Sequence, residues 1–334
     1  MSARKLAVLL VALSLLLFGV WSGPRASMGT LEGMPDVGRD VDAYLAASER
    51  GIPDLRPGAA KRVVWRDSTE RRRTGLALVY LHGFSADPHE VEPLMTDLGR
   101  TLGANVYFAR LAGHGRSASA MGEVTVDDWL EDTAEAVAVG RRLGTHVILV
   151  GTSTGGTLAT WAAMEPRLRE HVSALVLLSP NFHPADPTSR VLLWPWGGWI
   201  ARLVEGPERC SETHGVLHER YWTTCYPTRA LLPMMALVEH VRTSELERVT
   251  APALVAYVPG DRVVDARETQ RAFGRLGSAR KEIVPVEEPG DPDRHVPAGA
   301  ALSPQSTDLV QTRIEAFIAS LELSAEGGEG EDGK

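Results

Sequence analysis

One five-residue run, Gly151-Thr152-Ser153-Thr154-Gly155, constrains this chain more than any other stretch because of what flanks it. Ahead of it, His146-Val147-Ile148-Leu149-Val150 is apolar and β-branched without polar alternation, the pattern of a strand covered on both faces. Behind it, residues 156–164 read as a helix that Pro166 ends. A serine between a buried strand and a helix, with glycine two positions to either side, predicts a turn too sharp for side chains at 151 and 155. Such a turn holds Ser153 in a strained conformation and lifts its hydroxyl above the sheet edge at a helix N-terminus, where developing negative charge is stabilised. The alternative is an ordinary glycine-rich turn, and the two flanks argue against it.

A nucleophilic serine needs a base, and the base needs an orienting acid. On this kind of turn they follow in the chain order Ser, Asp, His. Ala253-Leu254-Val255-Ala256-Tyr257-Val258 is another buried-strand run; it breaks at Pro259-Gly260 and delivers Asp261 just past its end. Asp265 is the rival acid, although its place before a helix over 266–276, with an apolar face of Ala266, Gln270, Phe273 and Leu276, makes it a natural N-cap. A further strand, Lys281 to Val286, leads into a Pro/Gly/Asp-rich loop that carries His295, the only histidine after His240. The order rule therefore assigns Ser153, Asp261 and His295.

An oxyanion site requires two convergent amides, one following the nucleophile and one from the loop after an earlier strand. Gly75 to Leu81 is that strand, and His82-Gly83-Phe84 follows it, ahead of a helical pattern at Val91, Leu94, Met95, Leu98 and Leu102. The expected donors are the backbone N–H groups of Phe84 and Thr154, with His82 in a structural role.

These segments together resemble the α/β-hydrolase family, and within it the bacterial carboxylesterase and monoacylglycerol-lipase-like group. The resemblance is carried by His82-Gly83-Phe84-Ser85-Ala86, Arg110 to Ser117, Asp128-Trp129, Gly151 to Gly156, Gly260 to Val264 and His295-Val296, and spans roughly residues 75 to 320. It implies an α/β fold with a mostly parallel eight-stranded sheet flanked by helices, a small lid insertion, and hydrolysis of carboxylic esters through an acyl-enzyme without a cofactor. It also implies that Gly113 to Ser117 closes the floor of the site without doing chemistry. Thr152 stands where relatives often carry His, and Thr154 where many carry Met or Gln, so the pocket wall departs from the family's pattern. A small-substrate peptidase or amidase, an acyltransferase, or a non-catalytic binding protein on the same fold are the alternatives. Epoxide hydrolase and dehalogenase chemistry is disfavoured because Ser153 occupies the place of their carboxylate nucleophile.

Composition excludes other classes. A net charge of −8 gives no basic footprint for nucleic acid, and Arg71-Arg72-Arg73 is short enough to be a solvated loop. No phosphate loop, dinucleotide fingerprint or cysteine-rich zinc spacing occurs, so neither cofactor nor metal is expected; His214 and His218, four apart, read as a surface pair.

The remaining expectations concern the ends and the insertion. Arg4 and Lys5 precede an apolar run from Leu6 to Val20, which reads as a signal peptide over 1–23, with an uncleaved membrane anchor as the alternative. The protein is accordingly expected to be exported (periplasmic or extracellular) or anchored, with membrane association through that segment. Residues 24–60 read as a linker with a helix at 41–50, residues 61–183 and 231–322 as the core, and 323–334 as a disordered acidic tail. The insertion, 184–230, holds Trp194, Trp196, Trp199 and Trp222, half of the chain's eight tryptophans, and reads as a lid whose indoles line an acyl pocket. A lid merely packed on the core is the alternative. Cys210 and Cys225, the only two cysteines, both fall in it and are expected to pair.

Overall fold

The computed structural model describes residues 3–323; the acidic tail lies beyond them, apart from its first residue. Its centre is a seven-stranded sheet. The strands are β1 (Arg62–Val64), β2 (Thr74–Leu81), β3 (Asn105–Phe108), β4 (Gly144–Thr152), β5 (Ala174–Leu178), β8 (Ala253–Tyr257) and β9 (Lys281–Pro285). They run in the order β1-β3-β2-β4-β5-β8-β9. All pairings are parallel except the edge pair, where Arg62 faces Phe108 antiparallel. Eight strands were expected. Among the described residues a single three-residue strand forms the antiparallel edge, because no strand precedes Arg62.

The sheet divides two apolar layers. Ala77, Val79 and Leu81 of β2 and Val147 and Leu149 of β4 face one side, where helices Val126–Leu143, Thr154–Met164 and Leu231–Thr243 pack. Leu76, Leu78 and Tyr80, with Ile148 and Val150, face the other, against helices Leu94–Leu102 and Thr307–Ser320. Alternate residues of a strand point to opposite faces, so a strand covered on both sides must be apolar throughout, as β2 and β4 are. Each fully buried Val or Leu contributes about 1.5–3 kcal/mol. The helices start and stop by local chemistry: Thr125 and Asp128 cap Val126–Leu143 reciprocally, and Gly103 closes Leu94–Leu102 at φ 63°. Helix Ala266–Arg275 buries Thr269 and Ala272 rather than Ala266 and Gln270, a rotation that lets the Thr269 hydroxyl reach the Pro180 carbonyl.

The insertion contains a 3₁₀ segment Pro187–Leu193, helices Gly197–Glu205 and Val216–Tyr221, and a two-stranded ribbon of β6 (Glu208–Cys210) and β7 (Cys225–Pro227). Cys210 faces Cys225 in that ribbon, and the two form a disulfide.

The N-terminal reading requires correction. Ala3–Trp21 is one helix of 19 residues that includes Arg4 and Lys5, and among the described residues no helix is long and apolar enough to cross a membrane. About 20 predominantly apolar residues are needed to span a bilayer. The membrane anchor and the exported address drawn from this segment are therefore withdrawn. The stretch read as a linker is packed as well: Leu31, Val37, Val41 and Leu45 belong to the larger core layer, and the Thr30 amide donates to Asp127 at 2.6 Å. Within it the expected helix runs Val41–Ser48.

Candidate active site

Phe84, Ser153, Thr154, Asp261 and His295 each follow the C-terminal end of a sheet strand, where an open α/β sheet gathers its loops. Ser153 leaves β4 at φ 51° and ψ −116°, a conformation L-residues rarely adopt. It is held there from both sides: its amide donates to Leu178 O at 2.9 Å, and its carbonyl accepts from the amides of Thr157 at 3.1 Å and Asn181 at 3.0 Å. The two glycines are steric necessities. A Cβ on Gly151 would fall 2.5 Å from the Gly155 carbonyl carbon, and one on Gly155 would fall 2.6 Å from that of Leu81.

Past β8, Asp261 is anchored by its Oδ1, which accepts from the amides of Val263 and Val264 at 2.8 and 2.9 Å. Its Oδ2 lies 2.8 Å from His295 Nδ1, with both side chains nearly inaccessible. That contact leaves Nε2, across the ring, as the nitrogen available to the cavity. Asp265 is elsewhere engaged, accepting from the Arg267 amide at 2.9 Å as the N-cap of Ala266–Arg275. Burial pulls the His295 pKa down, but Asp261, then Asp291 and Glu90, outweigh it, and the net shift is upward.

The loop after β2 carries Phe84, whose amide donates to no other group among the described residues. Thr154 opens the helix after Ser153, and the first amides of a helix have no intrahelical acceptor. His82 is structural: its Nε2 accepts from the Leu111 amide at 3.0 Å, which ties β2 to the loop containing Gly113 and Gly115, both at positive φ. Burial holds the His82 and His114 pKa values below the usual range, so both rings are neutral near pH 7.

Ser153, His295, Phe84 and Thr154 line one cavity of about 630 Å³. Its apolar lining comes from Leu192, Ile200 and Val204 of the insertion, from Tyr226, and from Leu231, Met234 and Met235 of the following helix. Of the four tryptophans expected in the pocket, only Trp222 lines it. Trp194, Trp196 and Trp199 point outward, 58%, 43% and 71% exposed. Helix Gly197–Glu205 presents Ile200, Ala201 and Val204 to the cavity, which turns Trp199 and Leu203 away, and the Trp196 indole donates to the Gly19 carbonyl at 3.1 Å. Thr152 is not a wall residue either; its hydroxyl pairs with that of Tyr80 at 2.9 Å beneath the elbow. His214 and His218 are not a surface pair: both line the cavity, His218 is buried, and the two rings stack, with His214 3.0 Å from Asp293; no group of side chains that could hold a metal ion occurs among the described residues.

Two residues escaped the sequence reading. Asp291 is buried and its Oδ2 accepts from the amides of His295 and Val296 at 3.0 and 2.8 Å, shaping the loop that presents the imidazole. The Gly290-Asp291-Pro292-Asp293 run is the turn signal that marked the place without the role. Glu90 is buried against the loop before Phe84 and lines the cavity, and nothing in its local sequence distinguishes it.

Comparison with known proteins places this geometry in a family. Residues 73–288, well over half of the chain, match the family described as serine aminopeptidase, S33. The chain belongs to the serine aminopeptidase S33 family. As an S33-family protein it is a serine-hydrolase-type α/β-hydrolase, consistent with esterase or lipase activity through an acyl-enzyme. A thermostable monoacylglycerol lipase of Bacillus sp. (strain H-257) is 26% identical over 209 residues, 63% of this chain and 80% of that protein. Among solved structures, one from work on the metagenome-derived lipolytic enzymes LipS and LipT superposes with a TM-score of 0.63 at 21% identity, covering 80% of this chain and 99% of that one. A monoacylglycerol lipase of Paleococcus ferrophilus superposes at 0.55 and 16% identity, covering 78% and 98%. At these identities the superpositions establish the fold of the S33 chain, an α/β-hydrolase sheet with an inserted helical lid.

Proposed function

We propose that this chain hydrolyses carboxylic esters of monoacylglycerol type, with Ser153 as nucleophile, His295 as general base and acid, and Asp261 as the orienting carboxylate. The observation that carries this reading is the 2.8 Å contact of Asp261 Oδ2 with His295 Nδ1, facing a cavity that the strained Ser153 also lines. Asp261 fixes the tautomer in which Nδ1 carries the proton and Nε2 is free to take the Ser153 proton. Attack on the acyl carbon places negative charge on the carbonyl oxygen, where the Phe84 and Thr154 amides receive it. His295 then passes the proton to the leaving alcohol, and a water activated by the same ring releases the acid.

The acyl chain is assigned to the apolar lining from Leu192, Tyr226, Leu231, Met234 and Met235, and the alcohol to the polar groups contributed by His214, His218 and Asp293. A peptidase reading draws on the family's description, and on Asp186 and Glu205 at the cavity, carboxylates able to hold an α-ammonium. One experiment separates the two. Turnover of p-nitrophenyl esters from acetate to laurate is measured beside aminoacyl p-nitroanilides, with fluorophosphonate labelling mapped by mass spectrometry. Labelling of Ser153 with preference for medium-chain esters is expected. Anilide turnover exceeding that of the esters would overturn the substrate class, and labelling at another serine would overturn the nucleophile.

A further inference from the structure

We propose that Glu90 is a positioning residue of this active site: its buried carboxylate fastens the loop that presents the Phe84 amide to the elbow that presents Ser153, and the fastening is tightest when the carboxylate is charged. The inference rests on the reading of Phe84 and Thr154 as oxyanion donors and goes beyond it.

The observations form one chain of contacts. Glu90 is 2% exposed and no arginine or lysine pairs with it among the described residues. Its Oε2 accepts from the Gly83 amide at 2.7 Å and from the Tyr80 hydroxyl at 2.7 Å. The Tyr80 hydroxyl in turn meets Thr152 Oγ1 at 2.9 Å. Gly83 precedes Phe84 and Thr152 precedes Ser153, so one carboxylate links the backbones on both sides of the oxyanion site. The fit is close: a Cβ on Gly83 would stand 2.7 Å from Glu90 Oε1. Glu90 also lines the cavity that holds Ser153 and His295.

A lone buried carboxylate is costly, and retaining one needs a return. Here the return is rigidity, since hydrogen bonds to an ionised acceptor are roughly twice as strong as neutral ones. Protonation of Glu90 weakens both bonds and frees the loop. Burial pushes the Glu90 carboxyl up to about 7, against the opposing pull of Tyr80, Gly83 and His295. The charged or titratable groups facing it are Tyr80 from β2, Asp87 from its own loop, and His295 from the loop past β9. Asp87 is itself engaged by Arg56 and His89, and His295 by Asp261. Two groups, His295 and Glu90, must therefore lose a proton before the site is fully active.

The test is the pH dependence of ester turnover in wild type, Glu90→Gln, Glu90→Ala and Tyr80→Phe. Wild type is expected to show an acid limb of kcat/KM steeper than one proton. Glu90→Gln, which keeps an acceptor oxygen but cannot titrate there, should reduce the limb to a single proton. Glu90→Ala should lose kcat by about ten- to hundred-fold with KM little changed, less than the 10²–10³ for deleting an oxyanion donor outright. Tyr80→Phe should fall between. A Glu90→Ala protein with wild-type kcat overturns the proposal; if that variant does not fold, an unchanged acid limb in Glu90→Gln does so instead. Labelling of Ser153 by fluorophosphonate in wild type is the check on the underlying reading: if Ser153 does not label, that reading has failed, whereas labelling with an unaltered Glu90→Gln profile is failure of the Glu90 role alone.

Discussion

Replacing Gly155 with alanine isolates the steric demand of the elbow from its chemistry. The added carbon would stand 2.6 Å from the Leu81 carbonyl carbon and 2.7 Å from the His82 oxygen, and closer still to the Leu81 oxygen. Side-chain carbons essentially never come within 3.0 Å of such atoms. All three belong to the backbone, so no rotamer change relieves the clash. Overfilling a packed interior costs about 1–3 kcal/mol when side chains can adjust. With only backbone to move, Gly155→Ala should lie at the top of that range, about 3 kcal/mol or more. Leu81 and His82 lead directly into Gly83 and Phe84, so the displacement is expected to reach the oxyanion loop and abolish most ester turnover. Gly274→Ala is the control: apart from its chain neighbours and its own helix backbone, no atom lies within 4 Å of the Cβ it would gain, and it sits in helix Ala266–Arg275. There alanine should stabilise by up to about 1 kcal/mol, the propensity difference in a helix. Urea unfolding followed by circular dichroism, with turnover read on the same samples, supplies both numbers. Equal stability and activity in Gly155→Ala and wild type would refute the reasoning.

Three further outcomes follow from the site. Asp261→Asn should lower kcat by about 10⁴-fold through the wrong imidazole tautomer, whereas Asp265→Asn should cost only the few tenths to about 1 kcal/mol of a weakened N-cap; steady-state kinetics and thermal melts on both variants would expose a reversal. Because the His295 pKa is raised and the ring must be neutral to accept the Ser153 proton, activity should fall on acidification from above the ordinary histidine value of about 6.5. An acid limb centred below that value would contradict the Asp261 contact. Reduction of Cys210–Cys225, which closes a 15-residue separation, should loosen the insertion by about 3 kcal/mol in the loop-entropy account and slow long-chain esters more than acetate, since Ile200, Val204 and Tyr226 belong to the cavity lining near it. Equal slowing of both esters would detach the disulfide from the acyl pocket.

What could be read from the chain divides along the range of the interactions. The elbow is a local object: an apolar strand, two glycines and a helix, each visible within twenty residues, and Asp261 and His295 were reachable because turn residues flank them in a known order. Glu90 and Asp291 were not, because a carboxylate in a polar loop looks solvated until distant elements close over it. The tryptophans failed for a different reason. Helix Gly197–Glu205 carries exposed apolar side chains on both faces, Ile200 and Val204 at the cavity and Trp199 and Leu203 away from it, so hydrophobicity alone cannot tell which of them line the cavity. The sheet has seven strands where eight were expected because, among the described residues, no strand precedes Arg62. Ala3–Trp21 read as a signal or anchor from its composition, but among the described residues no helix is long and apolar enough to cross a membrane.

The insertion is stitched shut on itself. Its ribbon pairs Glu208 with Pro227 and Cys210 with Cys225, and its entry is tied to the acid loop by a bridge between Pro184 and Val264. None of the residues proposed for bond-making lies inside it. Residues 184–230 therefore form a cassette: a segment pinned within itself by one disulfide across its ribbon, lining much of the cavity and mounted on a frame that carries the residues proposed for the chemistry. Exchange of that segment for another of matched ends is a route to new substrate ranges that leaves the strained Ser153 and the proposed base and acid, His295 and Asp261, where they are.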